Sequence, residues 1–136
     1  MKAFLQGEWS LERRVQDRRA AQDGRLSGAA AFTADGSGLL CREEGRLAIG
    51  AHEGPALQSY RYVFSTAARA AVHFADGRFF HDLDLTAGAW RCTHLCDPDR
   101  YDGDFSALSP DAWRVVWRVA GPRKDLVLDS RYRRRL

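Results

Sequence analysis

The chain is poor in sulfur, proline and lysine. Among 136 residues it has three cysteines, one methionine, four prolines and only two lysines, Lys2 and Lys124, so the net charge of +3 is carried almost wholly by arginine. Three thiols, Cys41, Cys92 and Cys96, are an odd number and make no disulfide framework. The opening MKAFLQGEWSLERR lacks the apolar run of a signal peptide, and no stretch approaches the roughly 18 apolar residues of a membrane helix. These absences predict a cytoplasmic protein with reduced thiols and no membrane partner. Positive charge is concentrated only in the tail RYRRRL, while acidic residues are interleaved elsewhere, which argues against a nucleic-acid partner. Helical spacing is scarce, and internal repeats, linkers and low-complexity tracts are missing. The length and the 45% hydrophobic content fit one domain spanning 1–136.

What the sequence does have is alternation, broken about every ten residues by Gly, Pro, Asp or Ser. This predicts nine strands, near 7–16, 24–34, 38–48, 57–66, 69–75, 78–86, 88–97, 111–120 and 123–134. TADGSG at 33–38, AHEGP at 51–55, ADG at 75–77, DPDRYDG at 97–103 and GPRK at 121–124 read as the turns. Segment 16–23 reads as a loop or a single helical turn. Many short strands joined by tight turns imply an all-β fold, an antiparallel barrel of about 8–10 strands in which closure removes exposed edges.

GEW at 7–9 places Gly7, Trp9, Leu11, Arg13 and Val15 on one face of the first strand. This G-x-W start resembles that of the calycins, the lipocalin-like barrels. The resemblance implies that an arginine of the last strand, Arg131 or Arg133, stacks on Trp9 at the closed end. GEWSLERRVQD at 7–17, ADGRFFHDLDL at 75–85, HLCDPDRY at 94–101 and WRVAGPRKDLVLDSRYRR at 117–134 resemble an uncharacterised family of small bacterial and fungal proteins of about this length. That resemblance implies a calycin-like barrel and brings no activity with it. Cys41 departs from it, standing where a larger aromatic residue is expected.

Strand parity then gives the inward faces. Leu26, Gly28, Ala30 and Phe32 point in from the second strand, and Leu39, Cys41, Glu43, Gly45 and Leu47 from the third. The small residues among them are expected to leave room in the lumen. Tyr60, Tyr62, Phe64, Val72 and Phe74 follow, then Phe79, His81, Leu83 and Leu85, then Trp90, Cys92, His94 and Cys96. Trp113, Val115, Trp117 and Val119 face in from the next strand, and Lys124, Leu126, Leu128, Ser130 and Tyr132 from the last. The expected ligand site is therefore Arg13, Glu43, Tyr60, Tyr62, His81, Trp90, His94, Cys96, Trp113, Trp117 and Lys124, an aromatic lining around ionisable groups that need partners or a ligand.

CTHLC at 92–96 invites sharper readings. Cys92 and Cys96 sit roughly 13 Å apart along an extended strand, too far for a disulfide. His94 and Cys96, with His81, share a face, but no C-x-x-C or H-E-x-x-H spacing occurs, and no metal is expected. Glu43 paired with His81 or His94 is the candidate acid–base couple of a small enzyme, set against a buried polar network that merely satisfies itself. A resemblance to small intracellular haem-carrying barrels implies a third reading, with His81 or His94 as axial ligand. The cofactor stays unassigned. The expected partner is a small molecule, and a homodimer is left open.

Overall fold

The computed structural model describes residues 1–135. A one-turn helix, α1 (Lys2–Leu5), precedes ten strands: β1 (Gly7–Asp17), β2 (Gln22–Asp35), β3 (Gly38–Ile49), β4 (His52–Phe64), β5 (Ala70–Phe74), β6 (Phe79–Leu83), β7 (Ala89–Cys96), β8 (Asp99–Ser109), β9 (Ala112–Gly121) and β10 (Lys124–Arg134). Every strand pairs antiparallel with its neighbours in the order β6-β5-β4-β3-β2-β1-β10-β9-β8-β7, so β1 against β10 wraps one sheet into a nearly closed barrel. The two end strands, β6 and β7, face each other across an unladdered seam. Among the described residues no helix is long and apolar enough to cross a membrane.

The expected nine strands become ten because DRYDGDFSALS, read largely as a turn, is β8. Its alternation is masked by Gly103 and three aspartates, yet Gly103 and Phe105 are buried. Segment 16–23 holds no helix: β1 runs to Asp17, a turn follows, and β2 begins at Gln22.

The closed end is built on Trp9. Its Nε1 donates to the Leu5 carbonyl at 2.8 Å, which ties α1 across the barrel as a lid. Trp9, Leu5, Leu11, Phe32 and Leu39 are buried to 1% exposure or less. The arginine over Trp9 is Arg134, 4.2 Å from the ring, and not Arg131 or Arg133. Trp9 and Arg134 are cross-strand partners and therefore share a face, while Arg131 and Arg133 point outward. Arg134 also donates to the Phe4 carbonyl at 2.7 Å and to Asp111 Oδ1 at 3.1 Å, tying the end of β10 to the lid and to the β8–β9 turn.

Gly28 and Gly45 are directly paired between β2 and β3. A Cβ on Gly28 would collide with the Glu44 carbonyl, and one on Gly45 would lie 2.5 Å from the Ser27 carbonyl. These glycines let the backbones of β2 and β3 press together. That close approach, and not extra lumen, is their use.

Candidate functional site

Inward parity on β1, β3 and β10 brings a charged cluster to the middle of the barrel. Arg13 Nη2 donates to Glu43 Oε1 at 2.9 Å and Arg13 Nε donates to Ser130 Oγ at 2.6 Å. The Tyr132 hydroxyl donates to Glu43 Oε2 in a short hydrogen bond. Glu43 is 5% exposed and Ser130 1%. Burial disfavours the charged guanidinium, but Tyr132 and Glu43 outweigh it, and the Arg13 pKa is shifted upward overall. Burial, with the Glu43 charge second, holds the Tyr132 and Tyr60 hydroxyls well above the ordinary phenol range. The result is a fixed ion pair in an apolar shell, in a setting where removing one partner is costly.

Next to this cluster lies a cavity of about 80 Å³ lined by Arg13, Glu43, Tyr60, Phe80, His81 and Trp117, with Phe105, Trp113 and Tyr132 among the other wall residues. Two aromatic stacks shape it. Trp113 lies flat on Tyr132, with centroids 3.8 Å apart and planes 4° from parallel. Phe80 stacks on Phe74 at 4.4 Å and on Trp117 at 4.8 Å. Trp117 in turn lies across Gly103, where an added Cβ would meet the indole at 2.7 Å. Only glycine at that place lets the ring lie flat against β8.

Phe80 owes its place to a β-bulge. Val72 pairs with His81 but His73 pairs with Phe79, so Phe80 is the extra residue. Both Phe80 and His81 are buried as a result, and Phe79, expected inside, is 50% exposed. His81 Nδ1 lies 2.8 Å from the Asp82 carbonyl. A carbonyl only accepts, so Nδ1 carries the proton and Nε2 keeps a free lone pair. Burial pulls the His81 pKa down to about 4 despite that hydrogen bond, leaving a neutral imidazole at pH 7. The same carbonyl accepts from Trp90 Nε1 at 2.8 Å, which pins β7 to β6 across the seam.

Of the residues expected at the site, Arg13, Glu43, Tyr60, Tyr62, His81, Trp113 and Trp117 line the cavity. Trp90 is instead the seam pin, with Arg69 5.4 Å over its ring. His94 points inward but packs on the Phe74, Phe80 and Tyr101 rings without reaching the cavity. Cys96 is exposed at the end of β7. Lys124 is exposed too and pairs with Asp99 at 3.2 Å, because the inward face of β10 begins only at Leu126. The Glu43–histidine couple is not built: Glu43 is taken by Arg13 and Tyr132, and His81 by the Asp82 backbone. Sequence reasoning missed Phe80, hidden by the bulge, and Phe105, hidden in the unread β8. Tyr132 was placed inward but not in the site, although its strand runs beside Arg13.

The chain belongs to the family of unknown function DUF6314, whose model matches residues 5–134. No curated protein matches it. The S-type phycobiliprotein lyase CPES of Guillardia theta is similar in structure, with a TM-score of 0.68 at 9% identity over 98% of this chain and 90% of that one. A protein of unknown function from the DUF3598 family of Nostoc punctiforme has a TM-score of 0.64 at 12% identity over 99% of this chain and 49% of that one. At such identities the likeness is one of fold.

Proposed function

We propose that the barrel binds a small, flat molecule in its lumen, with aromatic rings against its faces and the polar groups of the cavity at one end. The observation that carries this reading is a cavity bordered by a buried Arg13–Glu43–Tyr132 cluster on one side and stacked aromatic rings on the other. A few fixed polar groups in an aromatic cleft are the usual make-up of a small-molecule site. The likeness to a phycobiliprotein lyase supports the reading only as architecture. At about 80 Å³ the cavity holds a polar head group, while ordinary ligand pockets measure roughly 300–1,000 Å³, so the body of a ligand must take space now held by a side chain.

Haem held by His81 fits this lumen poorly. The His81 imidazole is hemmed by the rings of Phe80, Phe105 and Trp117, at 4.7, 5.3 and 5.2 Å, which leaves no open plane for a tetrapyrrole. An absorption spectrum of the purified protein is expected to lack a Soret band, and a Soret band would contradict this.

Fluorescence titration with 1-anilinonaphthalene-8-sulfonate, an aromatic anionic probe, tests the binding reading. Saturable binding that Trp117→Ala weakens and the exterior Leu57→Ala leaves intact supports it. Absence of binding, or binding indifferent to Trp117→Ala, contradicts it.

A further inference from the structure

Among the described residues, two groups on the cavity wall are without partners, and they are of opposite kind. Trp113 is 2% exposed, and its Nε1–H is a buried donor with no acceptor. His81, 4% exposed, makes its one hydrogen bond through Nδ1, so Nε2 is an acceptor with no donor. Both rings pack against Phe105, at 6.3 Å from Trp113 and 5.3 Å from His81. A buried donor such as Trp113 Nε1 is rarely left unpaired, and His81, with its Nε2 lone pair unused, lines the same cavity. A hydroxyl answers both, since its proton can go to His81 Nε2 while its oxygen accepts from Trp113 Nε1. An ammonium has no lone pair to offer Trp113, and a carboxylate has no proton to offer His81.

The nearby ring slot is already filled. Phe74 and Trp117 both lie within about 20° of parallel to Phe80. They make no ring contact with each other, so they flank Phe80 on opposite faces. A phenyl ring thus sits between two aromatic plates, delivered there by an inserted residue beside the β6–β7 seam, where the described strands leave the barrel wall unladdered.

Building on the lumen-binding reading, we infer that the site takes a planar aromatic hydroxyl compound, of the phenol or naphthol class, and that the Phe80 ring is a built-in plug which the ligand's ring displaces. The hydroxyl bridges Trp113 Nε1 and His81 Nε2, and the ring takes the slot between Phe74 and Trp117. The neutral state of His81 suits it to accept that proton. A single water would satisfy the same two groups, and it would need no ring slot.

Equilibrium dialysis with 2-naphthol, 2-methoxynaphthalene and naphthalene separates these cases. The wild-type protein is expected to bind 2-naphthol about tenfold more tightly than naphthalene, the worth of one to two net hydrogen bonds, with the methoxy compound in between. Phe80→Leu, which keeps an apolar residue in the slot, is expected to tighten binding of all three at least about fivefold while preserving their order. Equal affinity of the wild type for 2-naphthol and naphthalene overturns the hydroxyl assignment, and unchanged or weaker binding by Phe80→Leu overturns the plug. In both of those results the lumen-binding reading stands. It falls with the inference if neither protein binds any of the three compounds. The wild-type comparison needs no variant, and melting of Phe80→Leu reports whether that variant is folded.

Discussion

Arg13 of β1 and Glu43 of β3 form an ion pair at 2.9 Å inside the barrel, reaching past β2, which separates their strands. The pair is largely withdrawn from water, so each charge depends on the other. Glu43→Gln is expected to destabilise the fold by about 3–5 kcal/mol, because the Arg13 charge stays buried without a counter-charge. The double variant Arg13→Met/Glu43→Leu should lose clearly less than the sum of the losses of Arg13→Met and Glu43→Leu alone. Chemical denaturation of these three variants and the wild type measures this, and additive losses would show that the two charges act independently.

At the closed end, Arg134→Ala is expected to cost about 1–3 kcal/mol through loss of the cation over Trp9 and of the hydrogen bonds to the lid. Arg131→Ala and Arg133→Ala, on the outer face, should stay within about 0.5 kcal/mol of wild type. Thermal melts of the three variants rank them. Equal effects would contradict the assignment of Arg134 as the stacking residue.

His81 gives the fold a predictable acid sensitivity. Its folded pKa is depressed from 6.5 to about 4, so below pH 6.5 the unfolded chain takes up a proton that the native state refuses. Stability is then fully present above pH 6.5 and falls as the pH drops towards 4, by about 3 kcal/mol from this group. Urea denaturation from pH 4 to 7 should show that slope in the wild type, and His81→Phe should flatten it.

The three thiols should differ in reactivity. Cys96 is exposed, Cys92 is half-buried with its pKa pushed up to about 12 by burial, and Cys41 is buried, which holds its thiol well above the ordinary range. A thiol reagent should label Cys96 quickly, Cys92 slowly and Cys41 only on unfolding. Rapid labelling of Cys41 in the native protein would contradict its place in the wall.

Much of this architecture is legible in the sequence because strand alternation is strict. Once Trp9 sets the parity of β1, Arg13 must face inward, and the same argument turns Glu43, Tyr60, Tyr62, Trp113 and Trp117 into the lumen. Alternation also held the answer for Arg134: with Tyr132 inward, the arginine two residues on shares its face. The bulge is different, because in FFH either phenylalanine can point inward and only pairing with β5 decides it. The partner of Glu43 was out of reach for a similar reason. Parity says which residues enter the lumen, while the stagger of the strands around the barrel says which of them meet.

Nitrogen-15 NMR of the histidine side chains tests the lumen site most directly. In the free protein at pH 7, His81 should show a protonated Nδ1 and a bare Nε2. Saturating 2-naphthol should move the Nε2 resonance in the direction of hydrogen bonding, while the exposed His52 stays where it was. If the His81 nitrogens do not respond, or respond no more than those of His52, the ligand does not occupy the lumen and the account is contradicted.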